Sequence, residues 1–341
     1  MKLLDIKDLS ILYKTVEGNI RAVDKVSLSI DDREILGIVG ESGCGKTTLV
    51  KGIIGLLPQN AKISGGEIYF NNTELLRLSY EQMRQIRWKD ISMITQSAMN
   101  SLNPVYKVGW QIVEVIRAHT DVSKEEAYKT VEELFELVGI EKGRMNNYPH
   151  QFSGGMKQRA IIAMALALNP KLIIADEPTT ALDVVVQSQI LQRINHVLEK
   201  YNGSMILVTH DISVVAQTCN MVAVMYGGVI VEYGPVKQVL KYPNHPYTMG
   251  LRNAFPSLTG EKRQLISIPG SPPNLMKDLK GCRFKDRCPF AIEKCFIDEP
   301  KQTSINNGFF YCHRNDEIDK LRELAKKQEI WHEDFFKEVT I

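Results

Sequence analysis

The stretch Gly40-Glu41-Ser42-Gly43-Cys44-Gly45-Lys46-Thr47-Thr48 constrains this chain more than any other. It fits the spacing G-x-x-x-x-G-K-[ST]. The apolar run Glu34–Val39 precedes it, and the periodic apolar residues of Leu49–Leu57 follow it. A buried strand, a glycine-rich turn and a helix in that order require an α/β fold around them. The glycines let successive backbone N–H groups turn inward onto phosphate oxygens, at the positive end of the following helix. Lys46 is expected to reach the β- and γ-phosphates of a nucleotide, and the Thr47 hydroxyl to ligate Mg²⁺.

The remaining pattern supplies the alternation such a loop needs. Leu3–Tyr13, Ala22–Ile30, Gly65–Phe70 and Ile91–Thr95 read as strands, and 108–138 turns helical. Val108, Ile112, Val115 and Ile116 make one apolar stripe. Ala127, Val131, Leu134, Phe135 and Val138 make another, behind Ser123 as N-cap with Glu126 three residues on. A helix over 156–168, a strand at Leu172–Ala175, a helix over 184–200 and strands at Met205–Thr209, Met221–Met225 and Val229–Tyr233 follow. This predicts a mostly parallel sheet, interrupted by a helical insertion at about 98–160. Beyond Gly234-Pro235 prolines become frequent and the periodicity fades, which predicts a loop-rich second region. The charged tail after it holds one amphipathic helix near Ile318–Leu324.

Charge and hydropathy exclude some classes. Lys and Arg number 42 against 40 Asp and Glu, a net charge of +2, so bulk electrostatics gives no basis for a nucleic-acid partner. The longest apolar run, Ala160–Leu168, is too short to span a bilayer. The first residues include Asp5 and lack the apolar core of a signal peptide, so the chain is expected to stay in the cytoplasm.

Several strings carry chemistry. Leu172–Ala175 leads into Asp176-Glu177: the strand end would aim Asp176 at magnesium, and Glu177 would polarise an attacking water. Alone, these residues read better as a solvated strand end; their position downstream of the phosphate loop favours the functional reading. His210 ends the next strand, where an imidazole would bond the γ-phosphate; otherwise it is a capping or surface histidine. Tyr13 is either strand filler or a platform for an adenine ring. In Phe152-Ser153-Gly154-Gly155-Met156-Lys157-Gln158-Arg159, Ser153 caps a helix whose exposed N–H groups make a second anion site. The helical insertion would hold that site away from the first, so it would serve a phosphate held on another subunit.

In this order and spacing, the strings resemble the ATP-binding subunit of ABC transporters. Gly40–Thr48 corresponds to Walker A, Gln96 to the Q-loop, Leu172–Glu177 to Walker B and Ala181-Leu182-Asp183 to the D-loop. Phe152–Gln158 corresponds to the signature, with Met156 and Lys157 departing from its strict form; His210 corresponds to the H-loop and Tyr13 to the A-loop aromatic. The resemblance implies a P-loop ABC-type ATPase core over residues 1–235, α/β in class, with an antiparallel β subdomain and a helical subdomain at about 98–160. It implies catalytic roles for Glu177, His210, Lys46 and Gln96. ATP would be held by Tyr13, Gly40 to Thr48, Gln96, Ser153, Gly154, Gly155, Asp183 and His210, and magnesium by Thr47, Gln96 and Asp176. The partners implied are a second ATPase subunit, identical or homologous, in a head-to-tail dimer, two transmembrane permease subunits and an extracytoplasmic solute-binding protein. The chain would then lie at the cytoplasmic face of the membrane, held by the permease.

The stretch Gln96-Ser97-Ala98-Met99-Asn100-Ser101-Leu102-Asn103-Pro104 resembles the Q-loop extension of oligopeptide and dipeptide importers. Asn244-His245-Pro246-Tyr247-Thr248, Ile268-Pro269-Gly270 and Gly281-Cys282-Arg283-Phe284 resemble their C-terminal extension, here residues 236–320 with a tail of 321–341. Relatives of this kind serve oligosaccharides or nickel as well as peptides, and nothing in an ATPase subunit touches the cargo.

Four of the six cysteines, Cys282, Cys288, Cys295 and Cys312, follow the spacing C-x5-C-x6-C-x16-C. In a reducing compartment such a group binds metal more often than it forms disulfides. Structural zinc sites pair cysteines more closely than this. Four thiolates suit a [4Fe–4S] cluster, which the resemblance also implies; zinc or no metal are the alternatives. Such a cluster would staple a segment that lacks a core of its own. Cys44 reads as small filler in the phosphate loop.

Two other functions compete. A non-transport ABC ATPase acting on nucleic acid or ribosomes would carry duplicated motifs, a coiled-coil insertion or a basic patch, and this sequence has none of them. A degenerate structural partner would have lost Glu177, His210 or the signature, and all three are present.

Overall fold

The computed structural model describes residues 2–95, 101–178, 184–254, 267–276 and 279–331. Its N-terminal half runs β1 (Lys2–Lys14), β2 (Asn19–Asp31), β3 (Ile35–Val39), α1 (Lys46–Ile53), β4 (Ala61–Phe70), β5 (Thr73–Glu74), α2 (Tyr80–Ile86), β6 (Ile91–Ile94), α3 (Val108–His119) and α4 (Lys124–Leu137). Then come α5 (Gly154–Leu166), β7 (Leu172–Asp176), α6 (Val184–Tyr201), β8 (Ser204–Val208), α7 (Ile212–Thr218), β9 (Met221–Tyr226) and β10 (Val229–Pro235). The C-terminal part holds α8 (Val236–Lys241), α9 (Pro246–Asn253), α10 (Glu293–Ile297), β11 (Gln302–Ile305), β12 (Gly308–Tyr311) and α11 (Ile318–Leu324). Contacts divide the chain into two compact units, one of residues 1–4, 30–35 and 70–208, the other of residues 5–29, 36–69 and 209–341.

In the first unit β6, β7 and β8 run parallel, with Ile91 opposite Leu172 and Leu172 opposite Ser204. Every residue of β7 and β8 is buried, as a strand covered on both faces requires. The stretch read as a helical insertion contains α3 and α4. Ser123 and Glu126 close a capping box at the start of α4, whose Ala127, Val131, Leu134 and Phe135 are buried. The helix ends at Gly139, whose φ of 70° continues the chain in the left-handed region. The N–H of Ile140 then donates to the Phe135 carbonyl and that of Gly139 to the Glu136 carbonyl, so the last carbonyls are satisfied. On α3, Val113 rather than Val115 completes the buried stripe.

In the second unit β2, β1 and β4 lie side by side. Another layer places β3 parallel to β9, β9 antiparallel to β10, and β10 antiparallel to β12. The turn Gly227-Gly228, with both φ positive, joins β9 to β10 as the glycine pair predicts. The hairpin β11–β12 turns through Asn306-Asn307, with Asn307 at φ 55°. Gly308 follows because a Cβ there would lie 2.3 Å from the Tyr233 carbonyl oxygen.

The proline-rich extension is not coreless, which corrects the stapling expectation. Phe284, Phe290, Phe310, Ile318, Leu321 and Trp331 share one buried cluster with Val224, Tyr226 and Val231 of β9 and β10. These apolar side chains organise the extension through burial, each worth roughly 1.5–3 kcal/mol. The predicted helix near the tail is α11, with Ile318 and Leu321 buried. No helix among the described residues is long and apolar enough to cross a membrane.

Candidate functional site

The second unit builds the phosphate loop. β3 is buried along four of its five residues and delivers Gly40 to the end of β9. A Cβ on Gly40 would lie 2.1 Å from the Met225 carbonyl oxygen, and one on Gly45 would lie 2.1 Å from that of Ala22. Gly45 also has φ 106°, in the region that only glycine occupies at low cost. The loop therefore has the shape it has because these two positions carry no side chain. α1 starts at Lys46, earlier than its apolar periodicity suggests, and buries Leu49, Val50 and Ile53.

The Lys46 side chain is buried and curls over the loop. Its Nζ donates to the Gly40 carbonyl at 2.7 Å and to the Glu41 carbonyl at 2.8 Å, and lies 3.7 Å from Cys44 Sγ. Burial pushes the Cys44 thiol up, against the pull of the Lys46 charge, so the thiol packs here as a small neutral group. The Tyr13 hydroxyl lies 3.2 Å from Thr48 Oγ1, which brings the end of β1 onto α1 beside the loop.

His210 also belongs to this unit. Thr209 N–H donates to the Ile38 carbonyl at 3.2 Å, so the residue before His210 is fixed to the strand that feeds the loop. The capping role falls to Asp211, whose Oδ1 accepts from the Ser213 N–H at 2.8 Å. His210 itself is exposed.

The first unit holds the other half of the expected residues. Asp176 ends β7 and is buried. Glu177 follows with φ 48°, an unfavourable conformation for a residue with a side chain. Two bonds hold this turn: Glu177 N–H donates to the Val208 carbonyl at 2.9 Å, and the buried Gln158 Nε2 donates to the Pro178 carbonyl. Gln158 therefore ties α5 to the turn that carries Glu177. At the start of α5, Ser153 Oγ accepts from the Met156 N–H at 3.3 Å, and Gly154 and Gly155 form the first turn. No acidic residue stands in that turn, so the positive helix end is uncompensated within α5.

Sequence reasoning picked out Glu177 by its place after Asp176 but had no signal for its left-handed backbone. Gln158 entered only as the end of the signature string. Gln96 and Asp183, with Ala181 and Leu182, lie outside the described residues.

Cys282, Cys288, Cys295 and Cys312 line one small cavity together with Phe284, Phe290 and His313. Cys282 N–H donates to the Cys295 carbonyl at 2.8 Å, pinning the first loop of the group to α10. Burial raises the Cys282 thiol to about 12, the Cys312 thiol to about 11, and the Cys288 thiol well above its ordinary value. Among the described residues, no three His, Cys, Asp or Glu side chains are grouped so as to hold a metal ion. As placed, these side chains form no ready metal site, so their arrangement gives the expected metal-binding extension no support. A zinc ion needs four sulfurs at about 2.3 Å from one point, and neutral buried thiols pack here as small apolar side chains. His313 turns its Nε2 to the Asp298 carbonyl, at 2.8 Å.

Comparison with known proteins adds an independent line. Residues 23–180 match the family described as ABC transporter, and residues 231–295 match that described as oligopeptide/dipeptide transporter, C-terminal region. The oligopeptide transport ATP-binding protein OppD of Haemophilus influenzae is 46% identical over 308 residues, covering 90% of this chain and 95% of the relative. OppD of Bacillus subtilis is 47% identical, with 91% and 87% covered, and the dipeptide transport ATP-binding protein DppD of Lactococcus lactis is 43% identical, with 91% and 89% covered. Among solved structures, a dimeric post-hydrolysis state of the ATP-binding cassette MJ0796 bound to ADP and Pi is similar, with a TM-score of 0.64 and 30% identity. It covers 68% of this chain and 98% of that one.

Proposed function

The chain belongs to the ABC transporter ATP-binding proteins of the oligopeptide and dipeptide kind, and on that premise we propose that it is the ATP-hydrolysing subunit that powers peptide import through a membrane permease. The observation that carries this is the phosphate loop: two glycines packed against neighbouring carbonyls, with a buried Lys46 at the start of α1. In this reading Gly40 to Thr48 wrap the phosphates, and Lys46 leaves the Gly40 and Glu41 carbonyls for the β- and γ-phosphates. Tyr13, already against Thr48, stacks on the adenine. Thr47, Asp176 and Gln96 offer oxygen donors, the set that suits Mg²⁺. Magnesium, when bound, neutralises charge that develops on the phosphates.

Glu177 orients and deprotonates the attacking water, and His210 bonds the γ-phosphate. Ser153, Gly154 and Gly155 at the uncompensated start of α5 close on the phosphate held by a second subunit, with Asp183 at the same interface. Val105 and Tyr106, exposed just beyond the Gln96 segment, favour this region as the contact with the permease. An extracytoplasmic binding protein delivers the solute. The experiment is co-purification with the permease subunits and measurement of which solute stimulates ATP hydrolysis. Peptides should stimulate, and stimulation by oligosaccharide or nickel alone would replace the cargo assignment.

We further read the four-cysteine cavity as the place of a [4Fe–4S] cluster. The support is its donor set, four thiols facing one cavity, which is the number such a cluster takes. Protein purified without oxygen should carry iron and sulfide, and Cys288→Ser should lose both. Iron-free protein loaded with zinc, or free of metal, would overturn this reading.

A further inference from the structure

Glu41 is the second residue of the phosphate loop, and all three of its polar groups are held. Its carbonyl accepts from Lys46 Nζ at 2.8 Å. Its amide N–H donates to the Tyr247 hydroxyl at 2.9 Å. Its carboxylate Oε2 accepts from Arg287 Nη1 at 2.8 Å, although the two residues lie 246 positions apart in sequence. Tyr247 and Arg287 both belong to the C-terminal extension, and all of these residues lie within the second unit.

Arg287 is built in from every side. Its Nε donates to the Pro269 carbonyl at 2.7 Å, its Nη2 to the Ile268 carbonyl at 3.2 Å, and its Nη1 also to the Tyr226 hydroxyl at 3.2 Å. The Arg287 side chain is only 7% exposed, whereas that of Glu41 is 24% exposed. The Tyr226 and Tyr247 rings pack at 4.5 Å between centroids, so the two contacts on Glu41 rest on one aromatic wall. A guanidinium this buried keeps its fork fixed, and the fork fixes whatever carboxylate it meets.

A phosphate cradle binds through backbone N–H groups that already point the right way, and ordering a loose loop on binding costs affinity. From this arrangement we propose that Arg287 and Tyr247 are positioning residues for the phosphate-binding loop, so that the C-terminal extension sets nucleotide affinity by holding Glu41 and, with it, the backbone at the start of the loop. Neither residue touches the nucleotide. Cys288 follows Arg287 directly, so the segment that grips the loop is also the one that lines the cysteine cavity. The proposal rests on the reading of Gly40–Thr48 as an ATP site.

The test uses the full-length protein and a fluorescent ATP analogue, alongside steady-state hydrolysis. Arg287→Ala should raise the nucleotide Kd roughly tenfold and Tyr247→Phe about threefold, with the loss in KM and not in kcat. Arg287→Lys should recover part of the affinity. Combining Arg287→Ala with Glu41→Gln should cost little more than the larger single change, because both remove the same contact. Tyr247→Phe removes one hydroxyl and leaves the ring in place, so it remains informative if Arg287→Ala does not fold. A merely structural role would lower the melting temperature and leave Kd unchanged in folded protein, and that result overturns the proposal. Lys46→Ala separates the two levels. If it abolishes binding while the Arg287 and Tyr247 variants bind normally, the proposal alone fails; if it binds normally, the ATP-site reading fails first.

Discussion

Replacing Gln158 with Met removes one hydrogen bond and nearly no volume. Gln158 is buried, and its Nε2 is the donor to the Pro178 carbonyl. Leaving that carbonyl without this donor costs about 1–3 kcal/mol. The preceding residue, Glu177, sits at φ 48°, which itself costs on the order of 1–3 kcal/mol and persists only while neighbours over-determine it. The two quantities are of the same size, so losing the bond frees the turn to relax toward an ordinary backbone. Each step of about 1.4 kcal/mol in that balance is a factor of ten in the population of the competent turn. Gln158→Met should therefore lower kcat for ATP roughly tenfold or more, while KM for ATP stays near wild type because the Gly40–Thr48 loop is untouched. The assay is steady-state phosphate release, with thermal melting recorded in parallel. Wild-type kcat with a lowered melting temperature would refute the reasoning, since it would mean that Gln158 holds the fold together without holding Glu177.

Other outcomes follow from the same geometry. Gly45→Ala must move the loop off the Ala22 carbonyl and should weaken nucleotide binding roughly tenfold or more, as read by titration with labelled ATP. Gly43 shares a positive φ, 78°, but a Cβ there meets open space, so Gly43→Ala carries backbone strain without a clash and should cost less; equal losses at the two positions would contradict the packing account. Glu232 is fully buried between β9 and β12; desolvation pushes its carboxyl from 4.5 up to about 7, against N–H bonds from Asn244 and His245. Burial also keeps His245 neutral, at about 3, so no positive charge from it offsets the effect. A raised carboxyl takes up its proton on folding, so its contribution is complete below the unfolded value and is lost as pH rises through about 7. Between pH 5 and pH 8 the wild type should lose about 2.5 kcal/mol that Glu232→Gln does not lose. Urea midpoints with parallel pH profiles for the two proteins would contradict this.

Features set by short stretches of sequence were legible. Strand, glycine loop and helix around Gly40–Thr48 follow from local rules, as do the Ser123–Glu126 capping box, the doubly buried Leu172–Asp176 and the Gly227-Gly228 turn. Features set by contacts distant in sequence were not. Nothing near Gln158 says that it bonds Pro178, and nothing near Glu41 points to Arg287. The extension read as coreless because Phe284, Phe290, Phe310 and Trp331 follow no helical or strand period; their burial partners are in β9 and β10. A turn signal was present at Asn306-Asn307-Gly308, between two short alternating stretches, and it marks the hairpin that adds to β10. Val113 and Val115 on α3 lie about 200° apart around the helix axis, so the burial of Val113 shows a covered face wider than the stripe that periodicity picks out.

The central claim is that this chain hydrolyses ATP as one half of a pair, with Glu177 acting on the water. The most direct measurement is phosphate release and molar mass by light scattering for Glu177→Gln, with and without Mg·ATP. The prediction is retained ATP binding, no turnover and a doubling of mass with ATP. Steady hydrolysis at the wild-type rate by a variant free of contaminating ATPases would contradict it.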